Sequence, residues 1–175
     1  MNKRTMKKLS VLGLLLFLTV NIYGQTKTHE TEEFSVEYPA NWELNTSGIG
    51  NSIFGILSPS TDEKDTFREN VNLITRNLQG NPVTLDQYAE LSKKQILTMI
   101  EKSEILEDKR VKNESSEYHM IVAKAVTNDM AMQFMQFYMI ENGKAYVLTY
   151  TAVADQYEKF VKQGSDIMKS FKLKK

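Results

Sequence analysis

The sequence predicts an α+β fold in which an antiparallel β-sheet of about six to seven strands has helices on both faces, as an α/β/α sandwich. The first observation is Asn142-Gly143, which joins two apolar, β-prone runs and is typical of a hairpin. The second is that both faces of this hairpin are mostly apolar, so we expect both to be covered. The third is two amphipathic helical stretches, after residues 84 and 155.

The first 24 residues have the three-part pattern of a secretory signal peptide. Four basic residues precede the apolar run from Leu9 to Val20, and small or polar residues end the segment near Gly24. A membrane-spanning helix needs about 20 apolar residues, and this run is shorter. We therefore expect residues 1–24 to be removed, a periplasmic or secreted location, and no stable membrane insertion afterwards.

The composition excludes several classes of protein. The chain has 175 residues, and without the four basic residues of the signal peptide, 18 basic residues remain against 22 acidic ones, a net charge of about −4. A mildly acidic domain is a poor nucleic-acid binder. The absence of Cys excludes disulfides, a lipid-modified cysteine, a thiol nucleophile and thiolate metal ligands.

The sequence of residues 25–78 predicts a leader followed by four strands. Residues 25–33 are polar and charged, so we expect a flexible leader before a single domain at 34–175. Residues 34–38 alternate between apolar and polar side chains, which is typical of a strand. Further strands are predicted at 42–44, 53–57 and 70–78.

An acidic loop precedes the fourth of these strands. Asp62, Glu63 and Asp65 offer oxygen ligands at a spacing that suits a divalent cation such as calcium. The loop lacks the DxDxDG order and the closing Glu of a dedicated calcium loop. The pattern leaves open a solvated acidic loop and a divalent-cation site.

The segment after Pro82 has a complete signal for the start of a helix. Thr84 as N-cap and Gln87 three residues later form a capping box. The apolar stripe that follows has helical spacing and must pack on a sheet face. Its members are Leu85, Tyr88, Ala89, Ser92, Ile96, Met99 and Ile100.

The second half of the chain predicts a meander and a final helix. We expect a charged edge strand at 105–112, a strand at 118–127, a tight turn at Asn128-Asp129, and then the hairpin. Asp155 is predicted to be the N-cap of the last helix, with Glu158 at its third position. With Glu141 opposite Lys144, the larger apolar face pairs Met139 with Tyr146, Phe137 with Leu148, and Met135 with Tyr150.

The same register brings four polar side chains together on the other face of the sheet. His119 lies opposite Tyr138, and Gln136 lies opposite Thr149. These residues predict either a groove for a small ligand or a His and a Tyr that satisfy each other's hydrogen bonds.

The inventory for catalysis is small. Only His29 and His119 are present, and no GxSxG, HExxH, phosphate-binding or dinucleotide-binding motif accompanies them. A hydrolase would need His119 beside a Ser and a carboxylate in a cleft. We therefore expect no enzymatic activity and no cofactor.

The order of segments resembles the PsbP-like family and its bacterial relatives, which share the PsbP/Mog-type fold, over Phe34 to Lys172. The resemblance depends on FSVEYPANW, a strand ending LSP, FRENVNLITRNL, TLDQYAELSKKQI, KAYVLTYTA and IMKSFK. It implies an antiparallel sheet between helices. It also implies an accessory role, because the plant members are extrinsic subunits of a photosystem, while others bind a GTPase or lie in bacterial envelopes.

The leading interpretation is an exported, non-enzymatic accessory protein that binds an envelope or secreted protein partner. The alternative is a small-ligand binder that uses His119, Tyr138, Gln136 and Thr149, or a divalent-cation binder.

Overall fold

The computed structural model describes residues 25–61, 65–78, 80, 82–113 and 116–174. The predicted signal peptide at 1–24 lies outside these residues. The described part contains ten strands and two α-helices. In chain order they are β1 (Thr26–Glu30), β2 (Phe34–Pro39), β3 (Glu43–Asn45), β4 (Phe54–Leu57), β5 (Asn70–Asn77), α1 (Leu85–Met99), β6 (Glu104–Lys112), β7 (Glu117–Thr127), β8 (Met130–Glu141), β9 (Lys144–Val153), α2 (Tyr157–Ser170) and β10 (Lys172–Leu173).

The centre of the fold is a seven-stranded antiparallel sheet in the order β3-β4-β5-β9-β8-β7-β6. This confirms the predicted α+β fold, with β6 at an edge. The predicted hairpin register is also confirmed, because Glu141 pairs with Lys144 and Met139 pairs with Tyr146. Asn142 and Gly143 have φ of 50° and 70°, the left-handed values that a type I′ hairpin turn requires.

The second tight turn follows the same physical rule. Asn128 and Asp129 have φ of 50° and 63°, in a region that short polar side chains tolerate better than most residues. The turn sets β7 against β8 so that His119 pairs with Tyr138, as the sequence predicts.

Each face of the sheet packs against one helix. On the larger apolar face, Phe137, Leu148 and Tyr150 form one core with Ile167 and Met168 of α2. On the other face, a smaller core joins α1 to the sheet, and α1 packs on β6, β7 and β8. The members of this core are Ile96, Ile121, Ala123, Ala125, Phe134 and Tyr138.

A second sheet, which the sequence analysis missed, lies beside the larger core in the order β1-β2-β10. It corrects the expectation of a flexible leader at 25–33, because β1 pairs with β2 along its whole length. β1 is polar because it is an edge strand, held by backbone hydrogen bonds and by His29. The His29 ring lies 5.8 Å from the Phe34 ring and 6.0 Å from the Phe54 ring, between centroids.

The sequence predicted the N-terminal cap of α1 correctly but not that of α2. The capping box of α1 is confirmed, because Thr84 Oγ1 accepts from the Gln87 backbone N–H at 3.2 Å and Gln87 Oε1 accepts from the Thr84 N–H at 2.8 Å. The prediction of Asp155 as the N-cap of α2 was wrong. Gln156 occupies that position without a side-chain cap, and its backbone N–H bonds to the Val153 carbonyl in a turn that delays the helix.

Candidate binding site

Helix α1 covers only half of its face of the central sheet. It packs on β6, β7 and β8, whereas the same face of β4, β5 and β9 is left open beside it. Two grooves of about 320 Å³ each occupy this open area, and they meet at Ile74. One lies between α1 and strands β5, β9 and β8, and the other lies between β4, β5 and the loop after β3. We call the two grooves together the trough.

The floor of the trough carries a row of polar side chains across three strands. The Tyr138 hydroxyl donates to Gln136 Oε1, and Gln136 Nε2 donates to Thr149 Oγ1 at 3.2 Å. On the next strand, Asn72 pairs with Thr149 in the register of β5 and β9. The row therefore extends from β8 to β5 at right angles to the strands.

Tyr138 is held in a fixed orientation at one end of this row. Its side chain is 2% exposed, and its ring lies 5.9 Å from the Tyr88 ring, edge to face. Burial raises the pKa of Tyr138 well above the ordinary value for a tyrosine. The hydroxyl therefore stays protonated at physiological pH and acts as a donor.

The structure brings together three of the four residues predicted to bind a ligand. Gln136, Tyr138 and Thr149 all line the trough, but His119 does not. His119 Nε2 lies 2.6 Å from Asp108 Oδ1, and Nδ1, which makes no hydrogen bond, lies 3.5 Å from Asp86 Oδ1. The alternative prediction, that His119 and Tyr138 satisfy each other's hydrogen bonds, was wrong, because Tyr138 bonds to Gln136 and His119 bonds to Asp108.

The surroundings of His119 form an ionic network between α1 and β6. Burial alone would raise the pKa of Asp108, but hydrogen bonds from His119 and Lys93 outweigh it and hold the pKa below the ordinary value. Asp86 is also bound by Arg110 Nη1 at 2.6 Å. No serine hydroxyl among the described residues hydrogen-bonds to His119, so the arrangement does not match a Ser-His-acid triad.

The predicted cation site lies only partly within the described residues. Asp62 and Glu63 fall outside them, whereas Asp65 accepts hydrogen bonds from the Thr61 backbone N–H at 2.8 Å and from the Phe67 N–H at 3.3 Å. Chiefly because of the Thr61 bond, the pKa of Asp65 is below its ordinary value. Within the ranges that the structure covers, no three His, Cys, Asp or Glu side chains are grouped so that they hold a metal ion.

Two strongly exposed large apolar side chains lie at the rims of the trough. Met99 at the end of α1 is 78% exposed, and Ile49 in the loop after β3 is 71% exposed. The sequence predicts Met99 on the packed stripe of the helix, but Met99 is the last residue of α1 and faces water. Exposed large apolar side chains around a groove typically mark a binding surface.

Arg76 and Asn72 are trough residues that the sequence analysis did not select. Both lie on β5 and point to the same face of the sheet as Ile74, which separates them. The alternation of Asn72, Ile74 and Arg76 against Val71 and Leu73 was visible in the sequence. This alternation did not by itself indicate a groove, because whether the face above β5 is open depends on where α1 lies.

Comparisons with known proteins agree with this architecture. The family model described as PsbP-like protein matches residues 20–173. The solution structure of cyanobacterial PsbP (CyanoP) from Synechocystis superposes with a TM-score of 0.65 at 12% identity, over 97% of this chain and 99% of that one. No curated protein matches the chain.

Two further solved structures share the fold. LpqN of Mycobacterium tuberculosis, described as involved in cell envelope biogenesis, gives a TM-score of 0.62 at 12% identity, over 86% of this chain and 91% of that one. PA94 of Pseudomonas aeruginosa, described as a protein of unknown function and putative regulator, gives 0.54 at 9% identity, over 82% and 95%. At such identities the likeness shows the fold alone. In the part of the chain that the structure describes, no helix is long and apolar enough to cross a membrane.

Proposed function

This chain belongs to the PsbP-like family, and from that premise we propose that it is an exported, non-enzymatic accessory protein that binds a protein partner in the cell envelope. The observation that carries the proposal is the open trough beside α1. The fold relative LpqN is described as involved in cell envelope biogenesis, which supports the compartment. The signal-peptide pattern of residues 1–24 supports it independently.

The shape and the rims of the trough favour binding of another protein. A folded domain of this size gains stability by burying apolar side chains, yet Met99 at one groove of the trough and Ile49 at the other both face water. A partner that lies across both rims would bury these side chains. It would also contact Ile74 and Val147 on the floor.

The chemistry of the trough favours binding over catalysis. None of the described residues that line it is Asp, Glu, His, Lys or Cys. The titratable tyrosines there, Tyr88 and Tyr138, both have pKa values raised by burial, so neither is suited to exchange protons near neutral pH. The other polar groups are amides, hydroxyls and the guanidinium of Arg76, which are suited to hydrogen bonding and, for Arg76, to ion pairing.

Site-specific photo-cross-linking tests this proposal in cells that produce the full-length protein. A photoreactive phenylalanine analogue at Met99 or at Ile49 should form an adduct with the same envelope protein. The matched control places the analogue at Lys169 on the outer side of α2, where no adduct is expected. Thr149→Arg, which fills the trough, should abolish the adducts at Met99 and Ile49. An adduct that persists with Thr149→Arg, or that forms equally at Lys169, would refute the trough as the binding surface.

The small-ligand alternative is favoured by one observation, the polar row formed by Tyr138, Gln136 and Thr149. Such a row is suited to orient a small polar molecule. If no adduct forms, and if a metabolite or a divalent cation raises the melting temperature of the mature protein, this alternative replaces the protein-partner proposal.

A further inference from the structure

We propose that the trough selects an extended peptide segment of the partner that presents an acidic side chain to Arg76 and an apolar side chain to Ile74. This inference rests on the proposed function and names the chemistry of the partner. It is carried by the charge of the trough, by the spacing of side chains along β5, and by an unsatisfied polar atom in the floor.

Among the residues that the structure describes, Arg76 is the single charged one that lines the trough. Its guanidinium donates to the backbone carbonyl of Thr75 at 3.3 Å, and it forms no ion pair with a carboxylate in the described ranges. Lys144, opposite Asn77 in the register, is already paired with Glu33 at 2.7 Å. The trough therefore offers one cation that is available to a carboxylate from outside.

The absence of acidic lining residues matters as much as the presence of Arg76. A carboxylate that approaches the guanidinium meets no like charge among the side chains of the trough. A basic segment would instead be repelled by Arg76 and would find no compensating acid. The charge of the trough thus favours an acidic occupant and disfavours a basic one.

The spacing along β5 matches that of an extended peptide. Asn72, Ile74 and Arg76 are alternate residues of one strand, so they lie about 7 Å apart in steps on the same face. An extended segment laid along β5 has the same repeat, because its alternate side chains also point to one side. An apolar residue and an acidic residue two positions away would reach Ile74 and Arg76 together.

Asn72 provides the third argument, which favours a peptide over a simple carboxylic acid. Within the described part of the chain its Oδ1 is buried and has no hydrogen-bond partner, while its Nδ2 has only a 3.5 Å contact with Asn70 Oδ1. A buried acceptor without a donor is unfavourable. After rotation of its side chain, Asn72 would accept from a backbone N–H of the segment, which is a donor that every extended peptide carries.

Selection from a display library tests the inference even while the partner is unidentified. Random heptapeptides, flanked on both sides by linkers so that no free chain terminus is presented, are selected on the mature protein and on two charge variants. Peptides selected on the wild type should be enriched in Asp or Glu two positions from an apolar residue. Arg76→Glu should shift the selection to Lys or Arg. Lys169→Glu, which makes the same charge change on the α2 side, should leave the acidic preference unchanged.

One selected peptide then gives the quantitative test, as a synthetic acetylated and amidated version. Replacing its acidic residue by Gln should weaken binding to the wild type about two- to fivefold, which is typical of an exposed ion pair. The same replacement should have no effect on Arg76→Gln, because the two changes remove one interaction. The loss measured on the wild type should shrink as salt is raised.

The outcomes separate this inference from the proposed function. Peptides that compete with trough cross-linking but show no acidic preference would overturn the inference and leave the proposed function intact. A coupling that is equally strong for Arg76→Gln and Lys169→Gln would also overturn it. Selected peptides that still bind Thr149→Arg would show that they bind outside the trough, and both proposals would fail.

Discussion

Gly164 of α2 lies directly against the ring of Tyr150 in β9. A Cβ placed on Gly164 would lie 2.5 Å from Tyr150 Cδ2, closer than a Cβ in native proteins approaches a carbon of a distant residue. Tyr150 is fully buried, and its hydroxyl donates to the Tyr157 carbonyl at 3.3 Å, so the ring has little freedom to move away. Position 164 therefore requires glycine because of close packing, and the contact fixes how α2 sits on the sheet.

This contact leads to the first prediction. Gly164→Ala should destabilise the protein by about 1–3 kcal/mol, because overpacking outweighs the gain in helix propensity. Urea unfolding of the mature protein measures the change. Gln163→Ala, at the neighbouring exposed position of the same helix, should be neutral or slightly stabilising. An unfolding midpoint for Gly164→Ala equal to that of the wild type would contradict the close packing.

The capping box of α1 gives the second prediction. Thr84→Ala removes the acceptor for the Gln87 backbone N–H and should cost about 1 kcal/mol. Thr84→Ser keeps the hydroxyl and should restore most of that stability. Thr98→Ala is the control within the same helix, because its hydroxyl bonds only to backbone carbonyls of the preceding turn. Thermal unfolding followed by circular dichroism distinguishes the three variants.

The third prediction concerns acid stability. Because the pKa of Asp108 is lower in the folded protein than its ordinary value of 3.8, its ionisation stabilises the fold above about pH 4. That contribution is lost as the pH falls through the folded-state pKa, when the carboxylate that binds His119 and Lys93 becomes protonated. Asp108→Asn should therefore reduce stability at pH 7 and flatten its fall below pH 4.

The acid-stability experiment needs a matched control at another aspartate. Asp129→Asn lies in the exposed turn between β7 and β8, and asparagine tolerates the positive φ found there. Urea unfolding between pH 2 and pH 7 should give the same pH dependence for Asp129→Asn as for the wild type. If Asp108→Asn followed that same curve, the network around His119 would not contribute to acid stability.

The sequence predicted those features that depend on local rules and on their propagation along the meander. The Asn142-Gly143 turn fixed the register between β8 and β9, and the Asn128-Asp129 turn extended it to β7. Gln136, Tyr138 and Thr149 were therefore predicted correctly to lie side by side. His119 was assigned to the right face and strand but to the wrong partners. The carboxylates that lie beside His119 belong to Asp108 on β6 and Asp86 on α1. No local sequence pattern relates those two segments to His119.

The features that were missed depend on tertiary packing. β1 is polar on both sides, so its sequence lacks the alternation that identifies a strand, and β2 supplies the pairing that defines it. Whether the trough is open depends on which strands α1 crosses. The amphipathic pattern of α1 specifies only which face of the helix is buried. The role that we propose for Arg76 depends on that arrangement.

The fourth prediction separates a role in binding from a role in folding at the trough rim. Met99 is 78% exposed, so Met99→Ser should change the free energy of unfolding by less than about 0.5 kcal/mol. If the rim binds a partner, the same variant should weaken cross-linking from Ile49, which lines the other groove of the trough. Leu97→Ser is the matched control, because Leu97 is on the same helix and 50% exposed but does not line the trough. Equal losses of cross-linking for the two variants would indicate a general effect of surface hydrophobicity. A loss of cross-linking specific to Met99→Ser, at an unchanged free energy of unfolding, would assign the Met99 side chain to partner binding. The side chain would then contribute to binding and not to the stability of the fold.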